Sequence, residues 1–305
     1  MSEKKTSVFR AAAAALPTFF TKDGAVDEAA YVRLIDRLIG AGIQAIVAAG
    51  TTGEAAALTE EEYERVVSLA AESAAGRVPV IAGVAGSCTA RAAARSRSAG
   101  RAGADALLAV TPYYNKASEE GLLRHYGEIA AASSLPILLY NVPGRTGLDL
   151  PLAVTARLAR EPQFVGIKEA SGNVLKAART VAACPPDFAV YSGSDEVTLP
   201  IMAVGGIGCI SVVANVLPGE VVGMTDRFFR GDVADAARIQ RSLLPVIDAL
   251  FAEVNPIPVK AALAMQGFGG EFYRLPLCPP SEATRAKIKE TLGRTQGAPF
   301  EKGVP

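Results

Sequence analysis

The chain has 305 residues, with 31 basic and 31 acidic side chains, 50% hydrophobic residues and 20% charged ones, the make-up of a globular protein with a sizeable core. Zero formal charge with no long Lys/Arg block leaves no electrostatic footprint for nucleic acid or an anionic membrane. No run reaches the ~18 apolar residues of a membrane span, so small molecules are the expected partners.

From the N-terminus, Lys4, Lys5 and Arg10 precede an apolar run at 11–16. It reads either as a short export signal or, more plainly, as a buried first strand. The next segment has Tyr31, Leu34, Ile35, Leu38 and Ile39 on one helical face, Asp27 as a cap and Gly40 and Gly42 as a stop. After a second run at 45–49, Thr59 and Glu62 form a capping box ahead of the stripe Tyr63, Val66, Val67 and Ala70. Further apolar runs follow at 78–82, 106–110, 137–140, 165–167, 188–191 and 209–213, with helical spacing between them.

Strands that are apolar throughout are buried on both faces, and intervening helices supply the crossovers that parallel strands need. Eight such units predict an α/β fold, a closed (β/α)8 TIM barrel. An open doubly wound sheet fits less well, because Pro17, Thr18, Phe19 and Phe20 after the first run cannot form a glycine-rich nucleotide loop. Strand patterns cease near Phe229, and helical segments follow at 233–252, 258–266 and 281–293. The expected division is residues 1–230 as the barrel carrying the active site and residues 231–305 as a C-terminal helical extension. The last dozen residues, with Gly297, Pro299, Gly303 and Pro305, read as a loose tail.

Cys88, Cys184, Cys209 and Cys278 show no CxxC spacing, and His125 alone could join them in a metal cluster. That argues against a zinc site or a disulfide framework and for a reducing cytosol.

In such a barrel the chemistry sits where each strand ends and the sequence turns polar. Lys168 directly follows the buried run ending at Ile167. Desolvation there favours the neutral amine, which attacks carbonyl carbon to give a Schiff base; the plainer alternative is a snorkelling lysine paired with Glu169. Tyr140, one strand earlier, can shuttle protons or simply pack. Thr51 and Thr52, between Gly50 and Gly53, form a hydrogen-bonding turn for a carboxylate or phosphate, or merely a turn. Arg145 can grip an anion bidentately or stay solvated. His125, in mid-helix, reads as structural, and Lys260 as a weaker candidate nucleophile.

Taken together, GTTGE at 50–54, TPYYN at 111–115, YNVPGRTG at 140–147, GIKEASGN at 166–173 and NPIPVK at 255–260 resemble the dihydrodipicolinate synthase family. Its members are pyruvate-dependent Schiff-base lyases and aldolases on the (β/α)8 fold. The resemblance runs from Ala13 to about Gly293. It implies that Lys168 attacks the ketone of pyruvate and that the resulting enamine adds to L-aspartate 4-semialdehyde, in lysine and diaminopimelate biosynthesis. It also implies a proton relay of Tyr140, Thr51 and Tyr114, a pyruvate carboxylate held by Thr52 and the backbone around Ile210, and a second carboxylate received by Arg145. No metal or other cofactor is implied. The implied assembly is a homotetramer, a dimer of dimers in which Tyr114 reaches the neighbouring subunit's site.

Two departures stand out. The proline at 17 is displaced relative to relatives, which bears on the floor of the site near Thr18. The positions matching a lysine-binding cleft include Ala55, Ala56, Glu60, Tyr63, Ser87, Arg91 and Tyr113, and Arg91 stands where lysine-sensitive relatives carry a carboxylate. A cation there repels the effector's ammonium, so weak or absent lysine inhibition is expected; clear inhibition at sub-millimolar lysine would refute this. The nearest alternative function is a related aldolase acting on a sugar acid or N-acetylneuraminate. Arg145 and the threonine pair favour a short dicarboxylic product. A non-catalytic binding homologue is the remote alternative.

Overall fold

Short, uniformly apolar segments separated by amphipathic helices close into a barrel in the computed structural model, which describes residues 7–296. The strands are β1 (Ala11–Ala15), β2 (Ala45–Ala48), β3 (Val80–Val84), β4 (Ala106–Val110), β5 (Ile137–Asn141), β6 (Phe164–Glu169), β7 (Ala189–Ser192) and β8 (Gly208–Ser211). Each is buried along its whole length. Each pairs in parallel with the next, and β8 returns to β1 with Ala13 opposite Ile210. Alternate residues divide the core in two. Ala13, Val47, Leu108, Leu138, Tyr191 and Ile210 fill the barrel interior, while the opposite faces pack under the helices. The lower end is stopped by Phe9, whose ring stacks on Tyr191 at 4.3 Å and whose carbonyl accepts from the Tyr191 hydroxyl at 2.6 Å. The run at 11–16 thus carries the first barrel strand, Ala11–Ala15, as its plainer reading expects.

The local signals hold. Asp27 accepts from the Ala30 amide at 3.0 Å, and Thr59 and Glu62 cap each other reciprocally at 3.2 and 3.0 Å. Most strand limits lie within one or two residues of the apolar runs, and two of the shifts have a visible cause. The third begins at Val80 rather than 78, where the Asp105 carboxylate takes the Val80 amide at 2.8 Å. The eighth stops at Ser211 rather than 213, because the Asp195 carboxylate draws in the amides of Val212 and Val213 at 3.0 and 3.3 Å and starts a tight turn.

After the barrel, helices Val233–Leu250, Ile257–Met265 and Glu282–Gln296 pack on one another, the first also against helix Pro218–Phe229. No described helix is long and apolar enough to cross a membrane. Of the dozen residues expected to form a loose tail, the first three, 294–296, instead end the last helix, and the rest, like Lys4 and Lys5, lie outside the described residues.

Candidate active site

Parallel closure carries every strand's C-terminal end to one rim, and a cavity of about 540 Å³ opens there. Thr51, Thr52, Tyr140, Arg145 and Lys168 all line it, so five residues from three separate strand ends, those of β2, β5 and β6, converge there. The extension supplies the facing wall through Ile247, Phe251, Asn255 and Lys287.

Lys168 lies on β6 in register with Tyr140 of β5 and Tyr191 of β7. It is 5% exposed. Its Nζ stands 4.5 Å from the centre of the Tyr140 ring, over the face that attracts a cation. The alternative pairing with Glu169 does not form. Strand alternation turns Glu169 to the opposite face, where it accepts from Asn141 Nδ2 at 3.1 and 3.0 Å and from the Ser171 amide at 2.8 Å.

Thr51 and Thr52 sit on the turn after β2. Thr18 braces that turn by donating to the Gly53 carbonyl at 2.7 Å, so the floor near Thr18 is built despite the displaced proline. Thr52 Oγ1 accepts from Asn255 Nδ2 at 2.9 Å. Arg145, exposed on the short helix Pro143–Thr146, donates to the Asn255 carbonyl at 3.0 Å.

Other expected residues fall elsewhere. Ile210 is 1% exposed within the barrel interior, and Val212 rather than Ile210 lines the cavity. Tyr114 is 90% exposed, holds a left-handed backbone (φ 73°) and does not line its own chain's cavity. The residues matched to a regulatory cleft do not share one cavity in a single chain. Ala56 and Tyr113 line a hollow of about 380 Å³ beside the site. Glu60 and Arg91 line a separate groove between two helices, and Ser87 is exposed before the second of them. Glu60 faces Arg95 at 3.1 Å, and Tyr63 is buried beneath the Arg95 guanidinium.

Lys260 is not an available nucleophile. It is fully buried, its ammonium 2.6 Å from Glu54 Oε1 and against the rings of Phe20 and Tyr273. Burial lowers its pKa, and the adjoining Glu54 carboxylate opposes that fall. His125 is structural as expected, buried with Nδ1 2.9 Å from Thr89 Oγ1.

Sequence reasoning gave no role to Gly193, Asp195 or Asn255. A Cβ at Gly193 would lie 2.8 Å from Lys168 Cε. Asp195 is buried and bonded to the Ser211 hydroxyl; burial raises its carboxyl pKa, and its hydrogen bonds and the Lys168 charge oppose that rise. Gly193 and Asp195 lie in the polar stretch after the seventh apolar run, and Asn255 opens the last quoted motif, which was the available signal. Among the described residues no His, Cys, Asp and Glu side chains cluster to hold a metal.

The model of the Dihydrodipicolinate synthetase family matches residues 8–295. The chain is 44% identical to the 4-hydroxy-tetrahydrodipicolinate synthase of Acidiphilium cryptum, covering 93% of this chain and 98% of that one. It is 46% identical to the Geobacter sulfurreducens enzyme of the same name, covering 95% and 99%. The crystal structure of dihydrodipicolinate synthase from Thermotoga maritima superposes with a TM-score of 0.93 at 39% identity, covering 95% of this chain and 99% of that one. The chain belongs to the dihydrodipicolinate synthetase family.

Proposed function

We propose that this lyase condenses pyruvate with L-aspartate 4-semialdehyde, the reaction of a 4-hydroxy-tetrahydrodipicolinate synthase, in the cytoplasmic route to diaminopimelate and lysine. The carrying observation is Lys168, whose amine stands at the cavity over the Tyr140 ring while the neighbouring Glu169 is turned away to Asn141 and the Ser171 amide. The amine adds to the pyruvate ketone and water leaves, giving an imine. Loss of a methyl proton gives the enamine, whose carbon attacks the aldehyde. The substrate's own amino group then adds to the imine carbon and releases Lys168, closing the ring.

Tyr140 and Thr51 border the cavity, and their hydroxyls both donate and accept, as proton transfer at these steps requires. Thr52 takes the pyruvate carboxylate, with the backbone near Ile210 shaping the pocket. Arg145 takes the carboxylate of the semialdehyde, which favours a short dicarboxylic product over a polyol. Tyr114, turned outward, completes the relay in a neighbouring subunit of a dimer of dimers. Arg91, exposed in its groove, would repel an effector's ammonium, so inhibition by lysine should be weak or absent.

Borohydride added with pyruvate should fix an adduct on Lys168, read by peptide mass. Lys168→Ala should abolish it, whereas Arg145→Ala should trap normally and raise the semialdehyde KM by about ten- to a hundredfold. Wild-type protein that stays unmodified at Lys168 would end the proposal.

A further inference from the structure

Asn255 belongs to the connection between helices Val233–Leu250 and Ile257–Met265, far along the chain from the barrel loops it meets. Its side-chain Nδ2 donates to Thr52 Oγ1 at 2.9 Å, and its backbone carbonyl accepts from Arg145 Nη2 at 3.0 Å. It is 5% exposed and lies in the cavity wall. One residue of the extension therefore touches both groups assigned to the substrates' carboxylates. The following helix fastens the same turn a second time, where Lys260 bonds Glu54 at 2.6 Å.

The direction of the first bond carries a consequence. A hydroxyl that accepts from an amide N–H keeps its own proton free to donate elsewhere. Thr52, so held, presents a donor toward the cavity, which is what a bound carboxylate needs.

We propose that Asn255 is a positioning residue with two separable parts. Its side chain sets Thr52 as a donor to the carboxylate of the keto acid, and its backbone carbonyl steadies Arg145 for the second substrate. This rests on the pyruvate chemistry proposed above. Removing the side chain spares the carbonyl, so the two substrates should respond differently.

Asn255→Ala should raise the pyruvate KM about three- to tenfold, the worth of one hydrogen bond. The semialdehyde KM should stay within about twofold. Asn255→Asp, of the same size, offers an acceptor where there was a donor. It draws the Thr52 proton away and adds negative charge beside an anion, so it should raise the pyruvate KM further than alanine does. On a Thr52→Val background, Asn255→Ala should add no further effect. Alanine and aspartate variants with the wild-type pyruvate KM, or variants whose two KM values rise together, would overturn the inference. Wild-type enzyme that gives no borohydride adduct at Lys168 would instead remove the pyruvate chemistry itself.

Discussion

An added methyl at Gly193 would lie 2.7 Å from Ala170 Cβ, 2.8 Å from Lys168 Cε and 2.9 Å from Lys168 Cγ, inside the distances that carbon atoms tolerate. The lysine stem passes through the space that this missing side chain leaves. Gly193→Ala should therefore keep the fold but displace the amine. Because misplacement of a reacting group by about 1 Å can cost about a hundredfold, kcat/KM should fall on that order, with unchanged far-ultraviolet circular dichroism. Steady-state rates equal to wild type would show that position 193 does not place Lys168. At this scale the sequence exposes Lys168 readily, since a lysine ending a buried run is conspicuous. It hides Gly193, one of 29 glycines, because that residue's role is a separation between β6 and β7 that exists only once Lys168 and Tyr191 are in register. It misdirects at Lys260, whose partner Glu54 lies 206 residues away.

Elements are legible where their limits are set locally and less so where a distant group sets them. Asp27 and the Thr59–Glu62 box mark helix starts through bonds spanning three residues. The ends of β3 and β8 shift because Asp105 and Asp195 reach them from other parts of the chain. The helices Thr89–Arg101 and Glu119–Ala131 pack together, and between them lies the only histidine of the chain, His125, bonded to Thr89. Burial lowers the His125 pKa, so the unfolded chain takes up a proton at a higher pH than the folded one. Its contribution to stability is complete above the unfolded value of about 6.5 and is lost as pH falls from there through the folded value. Urea midpoints should accordingly decline below about pH 6.5, before the carboxylates begin to titrate. His125→Gln should flatten that part of the profile. A variant with the same decline would place its origin elsewhere.

The whole molecule divides its labour by end. The lower barrel is closed by Phe9 on Tyr191, the upper rim gathers the polar strand ends, and the extension walls the rim on one side. Tyr114 does not fit this single-chain scheme, for it projects from the β4 rim with 90% of its surface exposed. An aromatic hydroxyl so placed serves a relay only if a second copy brings its own cavity to it. Two inactive variants can test that geometry. In a dimer formed from one Tyr114→Phe chain and one Lys168→Ala chain, the cavity of the first holds an intact Lys168 and receives an intact Tyr114 from its partner. The other cavity lacks both. After reversible dissociation and random reassociation of equal amounts, half the dimers are mixed and half their sites are whole, so about a quarter of wild-type activity should return. If Tyr114 instead acts within its own chain, no mixed dimer contains a complete site and the mixture stays as inactive as its components. Native mass spectrometry of the reassociated sample, which separates the mixed assembly from the two parental ones by mass, establishes that it formed, so activity that remains absent from it would remove the shared site.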